Sequence, residues 1–399
     1  MSALERRAVS ALALLYSFRM LGLFMVLPLL ALYAGDLAGA TPTLIGLALG
    51  VYGLTQALLQ IPLGWLSDQV GRKPVIVGGL LVFAAGSVMA AMADSLWGII
   101  LGRTLQGAGA IAATVMALVA DLTSEEQRTK AMAVVGVSIG LSFAVALVLG
   151  PVIAAAGGLA AVFWVTAGLA VGGIVIVVWL VPAATAVPRE HSDVGARAGH
   201  FGRALRDTTL LRLDFGVFSL HFILMACFLL VPGALEQSVG VDRAHHWQVY
   251  LPVLLLSIVG MVPLMRMAER GGRPREMFLT GIGLVMVAIA VLTMSAHAYI
   301  FFFGLWLFFV GFNYLEATLP SQVSKSVFAG GKGTALGVFS TCQFFGAFAG
   351  GAGGGWVLQH FGQVGLVSLC LALAAVWFVL ALGAGRSVLP APESVPRAP

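Results

Sequence analysis

Long apolar runs follow one another along almost the whole chain, and they constrain its fold more than any other feature of the sequence. A membrane helix needs roughly 20 mostly apolar residues to cross the hydrocarbon core. Transmembrane β-strands are shorter and alternate apolar with polar residues, so these runs do not fit a β-barrel. We predict an all-α integral membrane protein whose spans 1 to 12 lie, in order, near residues 8–33, 43–67, 74–94, 97–121, 131–156, 160–182, 211–237, 246–268, 275–296, 298–323, 333–359 and 363–384.

The composition excludes a soluble protein. Of the 399 residues, 60% are hydrophobic and 10% are charged, whereas soluble domains carry about 25% charged residues. A water-soluble globule could not bury so much apolar surface, and a disordered chain would be more polar. Twelve spans of roughly 20 residues leave only short connections. The chain therefore has no room for a large catalytic domain, and we do not expect an enzyme or a metal site.

The Lys and Arg residues fall almost entirely on one side of the predicted spans. With the N-terminus in the cytoplasm, 19 of the 22 lie in cytoplasmic segments, Arg243 lies outside, and Arg19 and Arg103 lie within spans. Because membrane proteins orient with their positive loops inward, both termini are predicted to be cytoplasmic in a multi-pass protein of the inner membrane. The net charge of +5 thus reflects topology, and no nucleic-acid partner is expected.

The chain repeats a pattern on either side of a long polar connection. Residues 183–210 separate six spans from six, and the segment from Asp68 to Pro74 is echoed by the segment from Glu269 to Pro274. Such duplication is expected of transporters built from two related halves. The predicted units are an N-terminal six-helix bundle, a cytoplasmic linker, a C-terminal six-helix bundle and a cytoplasmic tail, at 1–182, 183–210, 211–385 and 386–399.

Three motifs carry a resemblance to a known family. The segment GWLSDQVGRK at 64–73 is similar to the signature loop of the major facilitator superfamily, and RTLQGAGA at 103–110 is similar to the motif of its fourth helix. In span 5, Gly140, Gly150 and Pro151 resemble the glycine–proline motif of its proton-coupled antiporters, although the Gly-Gly pair of that motif is displaced. The resemblance spans the chain and is nearest to the bacterial YajR-type branch of drug:proton antiporters. The extra C-terminal soluble domain of some members is not expected here.

The signature loop predicts a cytoplasmic gate. A carboxylate at Asp68 can favour the positive N-terminal end of a neighbouring helix, and Arg72 can pair with Asp121 at the end of span 4. The resemblance implies that Asp68 faces the start of span 11 and holds the two halves shut. The alternative is a charged turn that only sets topology. The predicted gate residues are Gly64, Asp68, Gly71, Arg72, Lys73, Asp121 and Arg128.

Polar residues within the spans predict a proton or substrate cavity. A charged side chain at the bilayer centre costs about 2.5–3.5 kcal/mol on insertion scales, so such residues suggest a function. One stands in each of spans 1, 4, 7 and 10, which line the central cavity in the resembling fold. The alternatives are that Arg103 braces a carbonyl group and that His221 is an ordinary core histidine. The predicted cavity residues are Arg19, Arg103, Gln106, His221, Asn313 and Glu316, while Gln56, Gln60 and Gln343 line the cavity or bridge helices.

Small residues recur at a spacing of four in span 11. Gly346, Gly350 and Gly354 would let another helix approach closely. The same is expected near Gly140 and Gly150 of span 5, where the following proline removes a backbone hydrogen bond and permits a kink. Static packing and a bending or sliding surface both remain open for these positions.

These features together predict a secondary active transporter that works by alternating access. The leading expectation is a monomer that exports small hydrophobic or amphipathic compounds in exchange for protons, with the proton gradient as the energy source and no cofactor. Its partners would be the lipid bilayer, a small-molecule substrate and protons. The alternatives are a facilitator or symporter for an organic anion, which Arg19 and Arg103 favour, and a receptor or lipid-handling protein of the same fold.

The charge distribution makes a topology prediction. Reporter fusions within 190–200 and at the C-terminus should report the cytoplasm, and a fusion at residue 240 should report the opposite side, because positively charged loops stay inside. Paired phosphatase and fluorescent-protein fusions measure this directly. A C-terminus on the outside would contradict the predicted even number of spans.

Overall fold

The computed structural model describes residues 1–182, 202–294, 297–327 and 331–383, and these residues are helical without a β-strand. The helices are α1 (Ala3–Tyr33), α2 (Pro42–Val70), α3 (Arg72–Ala91), α4 (Leu96–Ala108), α5 (Ala112–Asp121), α6 (Glu125–Val175), α7 (Thr208–Gln237), α8 (Trp247–Glu269), α9 (Pro274–Met294), α10 (Ala298–Ser326), α11 (Lys332–Phe348) and α12 (Gly354–Leu382). Wider turns extend α6 over Ile176–Leu180 and join α11 to α12 over Ala349–Gly353. The predicted tail and most of the predicted linker lie outside the described residues.

Ten helical stretches among the described residues are long and apolar enough to cross a membrane. Two of them, Glu125–Leu180 and Gly333–Leu382, contain 56 and 50 residues, which is far more than one crossing requires. Each changes direction at a glycine in the left-handed region, Gly158 and Gly362, both with φ of 66°. Glycine adopts this conformation without the steric penalty of a side chain. Each long stretch therefore holds two predicted spans, and the prediction of an all-α membrane fold is confirmed.

Span 4 was predicted as one helix over 97–121; the stretch Leu96–Asp121 confirms the span, but it is not one continuous helix. Helix α4 ends at Ala108, α5 begins at Ala112, and Gly109 between them has φ of −73° and ψ of 46°. Glycine is a poor helix former, so it offers a place for an interruption. The apolar pattern continues through the interruption without a change, because hydrophobicity reports burial in the membrane and not local backbone hydrogen bonding.

Contacts group the chain into two compact units. The first unit comprises Met1–Gly195, His221–Leu251 and Phe344–Leu366, and the second comprises Ala196–Leu220, Pro252–Gln343 and Val367–Pro399. The first has a core of buried apolar side chains that includes Leu12, Leu15, Ile76, Phe83 and Val115. In the second, Trp377 is 2% exposed and packs edge-on against Phe278 at 6.2 Å between ring centroids. The division into two six-helix bundles remains a prediction from the sequence repeat.

Glycines bring α2 into backbone contact with the turn between α11 and α12 and with the start of α12, within the first unit. A Cβ atom on Gly50 would lie 2.7 Å from the carbonyl oxygen of Phe348. One on Gly351 would lie 2.7 Å from the carbonyl oxygen of Gly46, and one on Gly355 would lie 2.9 Å from the Cα of Gly46. Small residues permit this close approach in membranes, where dispersion contacts drive helix association. Any side chain at these positions would push the two segments apart.

This contact predicts that Gly50→Ala destabilises the protein. The added methyl group would collide with backbone and not with a flexible side chain, so we expect a loss of about 1–3 kcal/mol, as for other overpacked sites. The matched control is Gly78→Ala in α3, where an added Cβ meets nothing within 4 Å. Thermal unfolding in nanodiscs should show a lower midpoint for Gly50→Ala alone, and equal midpoints for the two variants would contradict the prediction.

Candidate functional site

The turn between α2 and α3 is a single residue long. Gly71 has φ of 99°, which favours glycine over every other residue. Its N–H donates to the carbonyl oxygen of Ser67 at 3.1 Å, and α3 begins at Arg72. The Ser67 hydroxyl donates to the carbonyl oxygen of Gly64 at 2.6 Å. Gly71 thus gives the signature loop the tight geometry that places Arg72 beside Asp68.

The guanidinium of Arg72 holds this turn against the end of span 4. Its Nη1 lies 2.5 Å from Asp68 Oδ1 and donates to Ser67 Oγ at 2.6 Å, while its Nε donates to Asp121 Oδ2 at 3.1 Å. The pairing of Arg72 with Asp121 suggested by the sequence is therefore present. The two carboxylate side chains are 43% and 42% exposed, and ion pairs this exposed contribute about 0–1 kcal/mol. The remaining predicted gate residue, Arg128, is half-buried near the start of α6.

Further charged side chains cap helix ends in the first unit. Lys73 Nζ donates to the carbonyl oxygen of Val181 at 2.6 Å, and Arg7 donates to two carbonyl oxygens in the wider turn that precedes it. Cations at a helix C-terminus satisfy its free carbonyl groups and its negative dipole end. Glu5 accepts a hydrogen bond of 2.9 Å from the N–H of Ser124, immediately before α6. Sequence reasoning missed Glu5 and Arg7, whose partners are distant in the chain.

Arg19 is 1% exposed and points into the first unit. Its Nη2 donates to Gln56 Oε1 at 2.8 Å, to the carbonyl oxygen of Gly109 at 3.0 Å and to Tyr52 Oη at 3.1 Å. These acceptors are neutral, and Gly109 lies in the interruption between α4 and α5. The sequence left the surroundings of Arg19 open, and the structure places it among backbone and uncharged polar groups.

Arg103 is also 1% exposed, and neutral groups surround it as well. Its Nε donates to the carbonyl oxygen of Ala48 in α2 at 3.3 Å, and its Nη1 donates to Gln106 Oε1 at 3.0 Å. Gln106 Nε2 donates in turn to Ser87 Oγ in α3 at 2.8 Å. The bracing of a carbonyl group that the sequence offered as an alternative is therefore present. Arg103 and Gln106 are adjacent, as their spacing of three predicts.

The second unit contains the other polar pair, Asn313 and Glu316, which are both half-buried in α10. Asn313 Nδ2 donates to Ser257 Oγ in α8 at 2.9 Å. Glu316 Oε1 accepts from Gln343 Nε2 in α11 at 3.2 Å. Polar groups one helix turn apart on α10 thus reach two neighbouring helices. The partners Ser257 and Gln343 follow from tertiary packing, and their only sequence signal is a polar residue within an apolar span.

The six predicted cavity residues are divided between the two units. Arg19, Arg103, Gln106 and the half-buried His221 belong to the first, whereas Asn313 and Glu316 belong to the second. Their meeting around one cavity remains a prediction.

The glycine–proline region of span 5 has a continuous helical backbone. Gly140 is exposed, and a Cβ there would meet nothing within 4 Å. Gly150 packs against α1, where a Cβ would lie 3.1 Å from a backbone oxygen. Helix α6 continues through Pro151 and leaves helical geometry only at Gly157 and Gly158. Of the predicted positions in span 5, Gly150 is therefore the one that brings two helices close.

The glycines of span 11 face different neighbours. A Cβ on Gly350 would lie 2.6 Å from the Cα of Phe222 in α7, so these backbones touch. Gly354 has its nearest neighbour at 3.4 Å, which is an ordinary contact, and Gly346 is buried. The closest approach to α2 is made by Gly351 and its neighbours. The glycines spaced by four in span 11 therefore mark the contact with α7. The glycines of α2 that face the same segment were not predicted, although they too are spaced four residues apart.

Comparisons with known proteins agree with this architecture. The family model described as Major Facilitator Superfamily matches residues 12–351. The inner membrane transport protein YajR of Escherichia coli (strain K12) is 50% identical over 379 residues, which cover 94% of this chain and 83% of that protein. A multidrug resistance protein MdtH of Aeromonas hydrophila is 28% identical over 352 residues, covering 84% of this chain and 83% of that protein.

A solved structure extends the likeness to the fold. It is a bacterial homolog to the human lysosomal transporter Spinster in an inward-facing and occupied conformation. The two folds superpose with a TM-score of 0.76 over 98% of this chain and 100% of that one, at 14% sequence identity. At this identity the likeness concerns the course of the helices and not their ligands.

Proposed function

The chain belongs to the major facilitator superfamily, and we propose that it exports small hydrophobic or amphipathic molecules across the inner membrane in exchange for protons. It is a multi-pass membrane transporter and not an enzyme. The name of the YajR relative supports placement in the inner membrane, and the name of the MdtH relative supports export of drug-like compounds.

The observation that carries the proposal is the position of Glu316. It lies ten residues before the last residue of α10, Ser326, or about 15 Å along the helix at 1.5 Å per residue. The side chain is half-buried and accepts a hydrogen bond from Gln343. Ionisable residues at membrane depth are costly and mark proton or substrate pathways. A carboxyl group in this position is suited to bind a proton from one side and release it to the other.

Exchange follows if proton and substrate favour different charge states of one cavity. A protonated Glu316 carries no charge and suits the empty transporter on its return. A molecule bound near Asn313, one turn away, would favour release of the proton by adding polar or cationic groups beside the carboxylate. Coupling of this kind requires only that the proton and the substrate each bind one conformation of the transporter more tightly than the other. No covalent step is involved.

The Arg72 cluster serves as the cytoplasmic gate in this proposal. Its contacts are exposed and individually weak, which suits a contact that must form and break in each cycle. The carboxylate of Asp68 would favour the positive end of the helix that starts span 11 when the inner side is shut.

The second candidate is a facilitator or symporter for an organic anion. Arg19 and Arg103 favour it, because both are buried and their hydrogen bonds in the described structure go to neutral acceptors. A flux assay in proteoliposomes with and without a proton gradient separates the two candidates. Export against a concentration gradient that requires the proton gradient supports the first.

The gate predicts that Asp68→Asn and Arg72→Ala abolish transport while expression and the unfolding midpoint stay near wild type, since exposed pairs contribute about 1 kcal/mol or less. Cysteine labelling of the inner side should increase in both variants. The control is Arg273→Ala, which removes an arginine from the repeat-related turn between α8 and α9, where it faces Glu276 at 3.7 Å. Normal transport by both gate variants would contradict the gate and would mean that the loop only sets the membrane topology.

Glu316→Gln should abolish proton-driven accumulation and leave substrate exchange, because the amide mimics the protonated acid and cannot release a proton. The test compound comes from comparing drug susceptibility and metabolites in deletion and overexpressing cells. Its accumulation is then measured in proteoliposomes with an imposed pH gradient. Glu276→Gln, an exposed acid of the same unit, is the matched control. Wild-type accumulation by Glu316→Gln would move the proton site to Asp68 or His221.

A further inference from the structure

The interruption of span 4 leaves a buried helix N-terminus inside the first unit. Helix α5 has ten residues and begins at Ala112 after three residues that are not helical. The N–H groups of its first residues have no acceptor within the helix, and the helix dipole concentrates positive charge there. At membrane depth water does not satisfy such groups, so they need partners from the protein or a ligand.

Arg19 is aimed at this interruption and retains unused donors. One nitrogen, Nη2, binds the carbonyl oxygen of Gly109 at 3.0 Å together with Gln56 and Tyr52. The other two nitrogens, Nε and Nη1, are buried without a hydrogen-bond partner in the described structure. A guanidinium has five N–H donors, of which Nε and Nη1 carry three. Bracing the broken helix therefore uses only part of the side chain.

Two more buried groups around the interruption are unsatisfied. Thr114 Oγ1, on the third residue of α5, has no hydrogen-bond partner among the described residues, and neither has Gln56 Nε2. Thr114 and Gln56 are both 0% exposed. Buried polar groups are normally paired, so several unpaired donors around one helix start call for a shared explanation. A positive charge, free N–H donors and a hydroxyl all fit an acceptor with negative charge.

We infer that Arg19 and the start of α5 form a binding site for a singly charged anion. The inference rests on the proposed transport function if the anion is a carboxylate of the transported molecule, and it is independent of that function if the anion is a free ion such as chloride. Charge-assisted hydrogen bonds from a guanidinium to a carboxylate or halide supply the affinity. Because Nε and Nη1 are buried, binding requires Arg19 or Gln56 to shift.

The test uses the purified full chain in nanodiscs in a sulfate buffer, whose anion carries two charges and is not a carboxylate. Calorimetric titration and the shift of the unfolding midpoint are measured with chloride, with benzoate and with benzamide, which is the uncharged counterpart of benzoate. Binding of benzoate without chloride identifies a carboxylate site, and binding of chloride identifies an inorganic anion site. Benzamide should not bind in either case. Failure of both anions to bind would overturn the inference and leave Arg19 as a brace.

Variants connect the binding to the residues. Arg19→Gln should raise the Kd for the bound anion by about tenfold or more, the effect of losing a hydrogen bond to a charged group. Arg6→Gln removes the same charge from an exposed position of α1 and should leave the Kd unchanged. If Arg19→Gln does not fold, Thr114→Val decides, because its hydroxyl makes no bond that folding would lose. Thr114→Val should raise the Kd several-fold. An unchanged Kd in Arg19→Gln, or in Thr114→Val where Arg19→Gln does not fold, would overturn the inference.

The same variants separate this site from the proposed export mechanism. Anion binding that depends on Arg19 in a protein without proton-driven transport would support the site and contradict the mechanism. Proton-driven transport in a protein that binds neither anion would support the export mechanism and contradict the anion site.

Discussion

The interior of a membrane offers no water to satisfy a backbone N–H or C=O group, and this constraint governs every part of the structure. The chain meets it with helices that change direction at glycines such as Gly158 and Gly362. Where span 4 interrupts its helix, a buried arginine takes over one freed carbonyl group. Arg19 thus satisfies the carbonyl of Gly109, and the same nitrogen also donates to Gln56 and Tyr52.

Charged residues act differently at the surface and at depth. In the Arg72 cluster, solvent screens the carboxylates of Asp68 and Asp121, so the contacts can open at small cost. Arg19 and Arg103 are held among neutral acceptors, where a charge is expensive and its contacts persist. Glu316 lies between these cases, since it is half-buried and hydrogen-bonded to Gln343. The proposed roles follow these environments: gating for the first, anion binding by Arg19 for the second and proton exchange for the third.

Close packing in this chain depends on glycines of two helices at once. The spacing of four along span 11 indicates that some helix approaches, yet it does not say which one. Gly350 contacts Phe222 of α7, while the next residue, Gly351, contacts Gly46 of α2. Neighbouring residues on a helix point in different directions, so one glycine-rich segment can serve two partners. Which face meets which partner depends on the arrangement of the helices.

The sequence by itself determined the class of fold and the order of its apolar spans, and it suggested the pairing of Arg72 with Asp121 that the structure shows. The class of fold follows from local chemistry, since apolar length has the same meaning in any membrane helix protein. Only the tertiary structure decided that span 4 is broken, that Arg19 points at the break and that Gln343 reaches Glu316. The physical reason is that a hydrophobic pattern records burial, whereas the partner of a buried polar group is chosen by packing between residues far apart in the chain.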